Sequence, residues 1–399
     1  MLRIVVGVVW IIAGIAKVGD PAGSVRAVRA YQVLPEFLVK GLGYGLPYLE
    51  IALGVLLIVG LATRLVAIVS ALLFVVYIVG IAQAAARGLQ IDCGCFGGGG
   101  ALKAGQTTTY TWDLIRDVLL LIGSGLLAWW PLSKYSADDW ILNSVSDPVT
   151  TRVGPRRTKE AQRRLAALQE QRRKESARRL QITSLGVVVL LVAVFAIGDV
   201  VQSHRAFVAG PAVTPTIASD SGILVGKASA KTTVDMYEDF ICPVCGAFEK
   251  QTGAKITSMI NDGTAKFRYH PLGFLDPNSS PPGYSSRAAN AAACMPTPAI
   301  FKKYHDLLYA NQPQEGSPGL SNSQLIALGK KAGDTSPSLA TCVNSGKYNK
   351  WVAGITDAAS KANVTGTPTV RINGKAISTP GQAFPNPADL QAAVTKASQ

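Results

Sequence analysis

Hydrophobic positions follow two rhythms along this chain, and the change of rhythm divides it. Long unbroken apolar blocks occupy about 2–18, 42–62, 65–86, 113–130 and 183–200. Each nears the roughly 20 apolar residues that cross a bilayer as a helix. Lys17 and Asp20 interrupt the end of the first block and no small-x-small cleavage site follows it, so it reads as a span rather than a cleaved signal peptide. Beyond residue 221 the rhythm becomes that of an α/β domain. Residues 232–237 alternate as a strand does, and 266–270 and 367–372 read as further strands, the last closed by an Asn373-Gly374 turn. Helical spacing covers 285–310, 321–333, 349–362 and 387–397. The pattern predicts a four-helix membrane bundle over 1–131, a basic helical linker over 132–182, a fifth span over 183–200, a flexible tether over 201–221 and an α/β domain over 222–399.

Charge adds an orientation. The net charge of +14 is concentrated in residues 152–179, directly before the fifth span. Positive-inside topology explains such a run better than nucleic-acid binding does, and it also suits contact with anionic lipid headgroups. Within it, Glu160–Arg164, Glu170–Lys174 and Glu175–Arg179 have the i,i+4 spacing of a charged helix. With this run in the cytoplasm, counting spans places the 87–111 loop and everything beyond 201 on the outer side. The N-terminus and the Thr63-Arg64 turn fall inside. The expected location is therefore the cytoplasmic membrane, multi-pass, with the C-terminal domain extracytoplasmic.

All six cysteines (93, 95, 242, 245, 294 and 342) fall on that outer side, where disulfides persist. Cys242-Pro243-Val244-Cys245 lies where a strand pattern gives way to a helix. A helix N-terminus favours a thiolate, and thiolate is the attacking species in disulfide exchange. Cys242 is thus the expected nucleophile and Cys245, one turn deeper, the resolving thiol. Pro243 suits the first helical turn. A zinc site would need two more ligands, and this domain offers only His270 and His305 and no second CxxC, so no metal is expected. Cys93-Gly94-Cys95 lies in a Gly-rich loop between two spans. A Cys-x-Cys bridge closes a very small ring, and a strained, exposed disulfide accepts electrons readily.

Strand–CxxC–helix, a helical insertion, then Gly366-Thr367-Pro368-Thr369 before a strand resembles the thioredoxin fold of DsbA-like oxidoreductases over about 222–397. The resemblance implies a cis Thr367-Pro368 bond beside the CxxC, presenting backbone groups to a substrate. It also implies a structural disulfide between Cys294 and Cys342, with two buried free thiols as the alternative. Two positions depart from the pattern. Pro-Val replaces the Pro-His of strong oxidants. The strand position that often buries a proton-relaying acid falls on Met236, with Asp235, Glu238 and Asp239 expected to point elsewhere.

The first 130 residues resemble the MauE branch of the DoxX-like four-helix membrane proteins. Gly14, Lys17 and Asp20, the run Leu46-Pro47-Tyr48-Leu49-Glu50, and Asp92-Cys93-Gly94-Cys95-Phe96-Gly97 carry the likeness. Relatives of this branch are associated with redox maturation and quinone-linked sulfur oxidation. Glu50 lies inside a span, where an ionisable group suggests function. With Lys17, Asp113, Arg116 and Asp117 it is expected to form a polar cluster beneath the cysteine loop. That cluster is either a proton-handling quinone site through Glu50, Lys17 and Arg116, or a structural ion pair.

These readings combine as a membrane-anchored thiol:disulfide oxidoreductase. Cysteines of exported proteins would be oxidised through Cys242/Cys245, with electrons passing to Cys93/Cys95. No cysteine lies in a span or cytoplasmic loop, so a quinone is the simplest electron sink. A tether of about 20 residues spans about 25 Å and holds the two pairs at roughly millimolar effective concentration. Two other readings stay open. One is a disulfide isomerase or reductase that matures an exported metallo- or cofactor enzyme. The other is a non-catalytic docking subunit of an envelope complex.

Overall fold

The computed structural model describes residues 1–89, 91, 93, 94, 108, 110–130, 136–138, 171, 178, 181–201, 213–219, 222–379 and 382–399. The basic linker pairs, most of the tether and Cys95 lie outside the described residues.

The N-terminal region is helical throughout: α1 Leu2–Val18, α2 Pro21–Ala30, α3 Glu36–Val59, α4 Thr63–Ala86 and α5 Tyr110–Trp129. A further helix spans Gln181–Val201. This helix, α3 and α4 are long and apolar enough to cross a membrane, and α1 with α2 forms a pair bent by 107°. In α5, Asp113, Arg116 and Asp117 crowd the first two turns, and both carboxylates are buried. Helices α1 and α3 pack closely because both present glycine. A Cβ on Gly7 would lie 2.8 Å from the Gly54 carbonyl oxygen, and one on Gly14 would lie 2.6 Å from that of Pro47. Such small-residue contacts let membrane helices approach backbone to backbone. The 181–201 helix packs on α3 in the same way, with the Phe195 ring against Gly45 and Tyr48 against Gly198.

Two parts of this region differ from expectation. Residues 19–41, between the first two apolar blocks, hold α2, and α3 begins at Glu36 rather than near 42. The local chemistry explains both. Asp20 caps α2 by accepting from the Gly23 N–H at 2.8 Å, Pro21 opens it, and extended Pro35 starts α3. Helix α2 is only ten residues long and carries Arg26 and Arg29, so it does not read as an apolar block by itself. At the opposite end of the bundle the Asp138 carboxylate accepts from the N–H groups of Ala62 (2.7 Å) and Thr63 (2.8 Å). The α3–α4 turn and the segment after α5 therefore meet, as an even number of passes between them requires.

The C-terminal region holds one six-stranded sheet in the order β1-β2-β4-β3-β5-β6. The strands are β1 Ala218–Ser219, β2 Gly222–Val225, β3 Thr232–Glu238, β4 Ala265–Pro271, β5 Thr369–Ile372 and β6 Lys375–Ala376. Strands β3 and β4 run parallel, and β5 is antiparallel to β3. The sheet already begins at Ala218, inside the stretch read as tether. The helical run at 285–310 is two helices, Tyr284–Ala293 and Pro298–Ala310, because Pro298 starts a new helix capped by Thr297. A further helix, Leu339–Ser345, carries Cys342, and a disulfide joins it to Cys294 at the end of the 284–293 helix.

Candidate functional site

Three chain segments converge at one end of the sheet because β3 and β4 are parallel and β5 is antiparallel. The CxxC follows the end of β3, Phe274 and Leu275 follow the end of β4, and Thr367-Pro368 precedes the start of β5. Cys242 is the N-cap of the Pro243–Asp262 helix, and Pro243 occupies its first turn. The Thr367-Pro368 bond is cis. The Cys242 thiol donates to the Thr367 carbonyl at 3.3 Å. This brings together Cys242, Cys245, Thr367 and Pro368.

The two thiols are unequal. Cys242 is 2% exposed and Cys245 is fully buried. A hydrogen bond from Cys245 holds the Cys242 thiol below its ordinary value, against the opposing effect of burial. Burial pushes Cys245 well above its ordinary value, reinforced by Cys242 and the charge of Glu238. The pair is therefore built as one attacking sulfur and one sulfur held protonated until needed.

Gln312 fixes the turn, a role that the sequence does not reveal. Its side-chain amide donates to the carbonyls of Phe240 (3.2 Å) and Cys242 (2.8 Å). Gly246 leaves room for it, since a Cβ there would lie 2.2 Å from the Gln312 side-chain oxygen. Asp239 is also buried and accepts from the N–H groups of Ile241 (3.1 Å) and Leu275 (2.9 Å). Burial pushes its carboxyl up to about 7.

The buried acid expected to be missing is present two residues after Met236. Thr232, Val234, Met236 and Glu238 all face inward, so Glu238 points into the core and not elsewhere. Its carboxylate meets His305 Nε2 at 2.7 Å, and His305 Nδ1 faces Asp306 at 3.1 Å. Glu249, on the CxxC helix, completes the group: donor atoms of Glu238, Glu249 and His305 all lie within 4.8 Å of one another. Burial lowers the His305 pKa, but the negative charges of Glu238 and Glu249 outweigh it and raise it to about 9. Burial pushes Glu249 up to about 7, with His305 pulling the other way. Two nitrogens that each face a carboxylate suit an imidazolium better than a metal-bound imidazole. The alternation of β3 was the available signal for Glu238; nothing local marks Glu249 or His305.

In the bundle, Lys17 Nζ and the Tyr77 hydroxyl both meet Glu50 Oε1 at 2.5 Å. Glu50 is fully buried. Arg116 is bonded within α5 to Asp113 and Asp117 at 2.9 Å each, and Asp117 also lies within electrostatic reach of Lys17. Cys93 is half-buried, and its carbonyl accepts from the Tyr31 hydroxyl at 2.8 Å. Gly94 has φ +66, and a Cβ on it would lie 2.6 Å from the Ala27 side chain, so both backbone sign and space call for glycine. Cys95, Asp92, Phe96 and Gly97 lie outside the described residues.

Helix α2 touches both cysteine regions. Ala27 packs against Gly94, and Tyr31, immediately after the helix, bonds to the Cys93 carbonyl. From the same helix, Arg29 binds Asp357 (2.9 Å) and Ser360 (3.0 Å), on the helix Asn349–Lys361. Arg26 lies 5.3 Å over the Phe274 ring and donates to the Phe274 carbonyl at 3.5 Å.

Comparison with known proteins assigns both halves. Residues 1–130 match the family of the methylamine utilisation protein MauE, and residues 218–395 match a thioredoxin family. Disulfide bond formation protein D of Bacillus subtilis is 27% identical over 159 residues, 39% of this chain and 68% of that protein. The serine/threonine-protein kinase PknE of Mycobacterium tuberculosis is 29% identical over 161 residues, 38% of this chain. The chain spans only 28% of that kinase's length. Reduced DsbA from Mycobacterium tuberculosis, a solved structure, shares 30% identity, 45% of this chain and 92% of that one, with a TM-score of 0.39. The chain therefore joins a membrane domain of the MauE family to a C-terminal domain of the thioredoxin family.

Proposed function

We propose that this chain is a membrane-anchored thiol:disulfide oxidoreductase that oxidises cysteines of exported proteins and is recharged within the same polypeptide. A substrate thiolate attacks the Cys242–Cys245 disulfide at Cys242. A second substrate thiolate then attacks the mixed disulfide, leaving an oxidised substrate and two protein thiols. Recharging reverses the chemistry. The Cys242 thiolate attacks a Cys93–Cys95 disulfide, and Cys245 resolves the mixed disulfide, so two electrons and two protons leave the thioredoxin domain. A quinone then takes them from the membrane pair.

The observation that carries this reading is the position of α2. It packs on Gly94 through Ala27 and holds the Cys93 carbonyl through Tyr31 at its end, and it grips the thioredoxin domain through Arg26 and Arg29. The Glu238–His305–Glu249 group supplies an acceptor for the Cys245 proton when that thiol attacks. The inequality of the two thiols favours a catalytic domain over a docking module, which has no use for it.

Alkylation of thiols in membranes tests the relay. In a Cys93→Ala variant the Cys242/Cys245 pair should accumulate in the reduced form. A pair as oxidised as in the unaltered chain would end this reading.

A further inference from the structure

Between α2, α3, α4 and the Cys93–Gly94 backbone lies a cavity of about 420 Å³. That size falls in the range of roughly 300–1,000 Å³ typical of small-molecule sites. Its walls are mostly aliphatic, and Lys17, Tyr31, Tyr77, Gln83 and Cys93 are among the lining residues. Val33, Val76 and Val79 also line it, and they are 59%, 62% and 60% exposed. Val76 and Val79 lie in α4, long and apolar enough to span, where exposed valines face lipid, so the cavity opens sideways into the bilayer, with Val33 in the turn between α2 and α3 at its edge.

We infer that this cavity binds the ring of an isoprenoid quinone, with its tail leaving between the valines into the lipid. Three features select that class. The occupant arrives from the hydrocarbon phase, so it is apolar. It meets donors: the Lys17 ammonium has three N–H groups, and Glu50 takes one of them. It sits beside a redox cysteine, so it accepts electrons. A fatty acid meets the first two conditions and not the third.

The electron source rests on the relay reading above. The dithiol of Cys93 and Cys95 loses two electrons and two protons and closes a disulfide. The quinone gains both and leaves as hydroquinone. Lys17 acts by hydrogen bonding to a ring oxygen, which draws electron density toward the ring as it is reduced. Arg116 is not among the lining residues. This places the quinone contact at Lys17, Tyr77 and Cys93 instead of at the α5 charges.

The test uses the full chain in lipid nanodiscs, with decylubiquinone and menadione as probes. Binding is read by titration, and hydroquinone formation by absorbance after the chain is reduced. Exchange between the two cysteine pairs is followed separately, by trapping mixed disulfides. Gly80 lines the cavity, and a Cβ on it would lie 3.5 Å from the Tyr31 ring with no backbone in the way. Gly80→Leu should therefore fill the cavity, lowering quinone affinity and reduction rate at least tenfold while pair-to-pair exchange stays intact. Val76→Trp, from the lipid side, should do the same and serves if Gly80→Leu fails to fold. Unchanged quinone binding and reduction in both variants would overturn the cavity assignment and leave the relay standing. An unaltered chain that exchanges disulfides normally but binds neither quinone would overturn the quinone itself. Saturable quinone binding lost in Gly80→Leu, with no exchange between the pairs, would sustain the site and sink the relay.

Discussion

Each half of this molecule buries a carboxylate against a basic partner, and the two arrangements differ in their count of acids. In the bundle, Glu50 faces one ammonium, Lys17, and one hydroxyl, Tyr77. In the thioredoxin domain, Glu238 and Glu249 share one imidazole, His305, with Asp306 on its other nitrogen. Glu50 and Lys17 meet one to one in direct contact, so removing either partner strands a buried charge, even with Asp117 within electrostatic reach of Lys17. A group with more acids than bases has a proton to trade, and the values of about 7 for Glu249 and about 9 for His305 put that exchange near neutral pH. The lesson is that a buried charge pair by itself says little about proton transfer. The surplus acid is the informative feature, and it lies behind the thiol that must lose a proton.

The largest expected effect comes from breaking the locked pair. Lys17→Met leaves Glu50 buried and unpaired, which costs about 3–5 kcal/mol. Thermal unfolding in detergent should show a large loss for this variant. The double variant Lys17→Met with Glu50→Leu should recover most of it, because no lone charge remains. Equal loss in both would mean that the pair acts through shape rather than charge.

A smaller effect, of opposite character, is expected from the soluble group. The pKa of His305 is raised on folding, so the folded state holds its proton more tightly than the unfolded state. Its contribution is complete below the unfolded value of about 6.5 and disappears as pH rises through about 9. Glu249 is also raised, so stability falls further as pH climbs from about 4.5 through 7. Pulse proteolysis in urea should therefore give a midpoint for this domain that declines from pH 5 to pH 9.5. His305→Gln should flatten the upper part of that decline. A midpoint that rises with pH would refute the surplus-acid description.

The smallest effect belongs to the contact between the halves. Arg29 pairs with Asp357, which is about a third exposed, so the ion pair is worth roughly 0–1 kcal/mol. Because Arg29 is itself buried and also pairs with Glu36, the contact is tested from its exposed side: Asp357→Asn should hardly change stability. It should slow mixed-disulfide formation between the pairs several-fold, and that rate should fall with added salt in the unaltered chain but not in the variant.

Some of this was legible in single residues. Cys242, Cys245 and the Thr367-Pro368 pair stand where a strand meets a helix and where a loop meets a strand, which local patterning reveals. Glu238 was legible in principle, since it keeps step with Val234 and Met236 on β3; treating Met236 as the only buried position of interest missed it. Helix α2 was missed for the opposite reason: it is neither apolar enough to be a span nor long enough to stand out. Arg116 is grouped with Glu50 and Lys17 because span counting puts them near the same side, and Asp117, its partner, does interact electrostatically with Lys17. In the fold it bonds along its own helix, to residues one and three positions away.

By itself the sequence determined what local composition controls: apolar blocks long enough for a bilayer, a basic run before the last of them, and a proline-bearing CxxC that starts a helix. Burial energies and backbone propensities act over a few residues, so a linear pattern records them. Only the tertiary structure decided which distant groups share an environment. Glu238 meets His305 from 67 positions away, and Arg29 meets Ser360 from 331. Such pairings depend on how strands are ordered and where helices pack. Because electrostatic strength depends on what else is buried nearby, the chemistry of those groups was fixed only once the fold had closed around them.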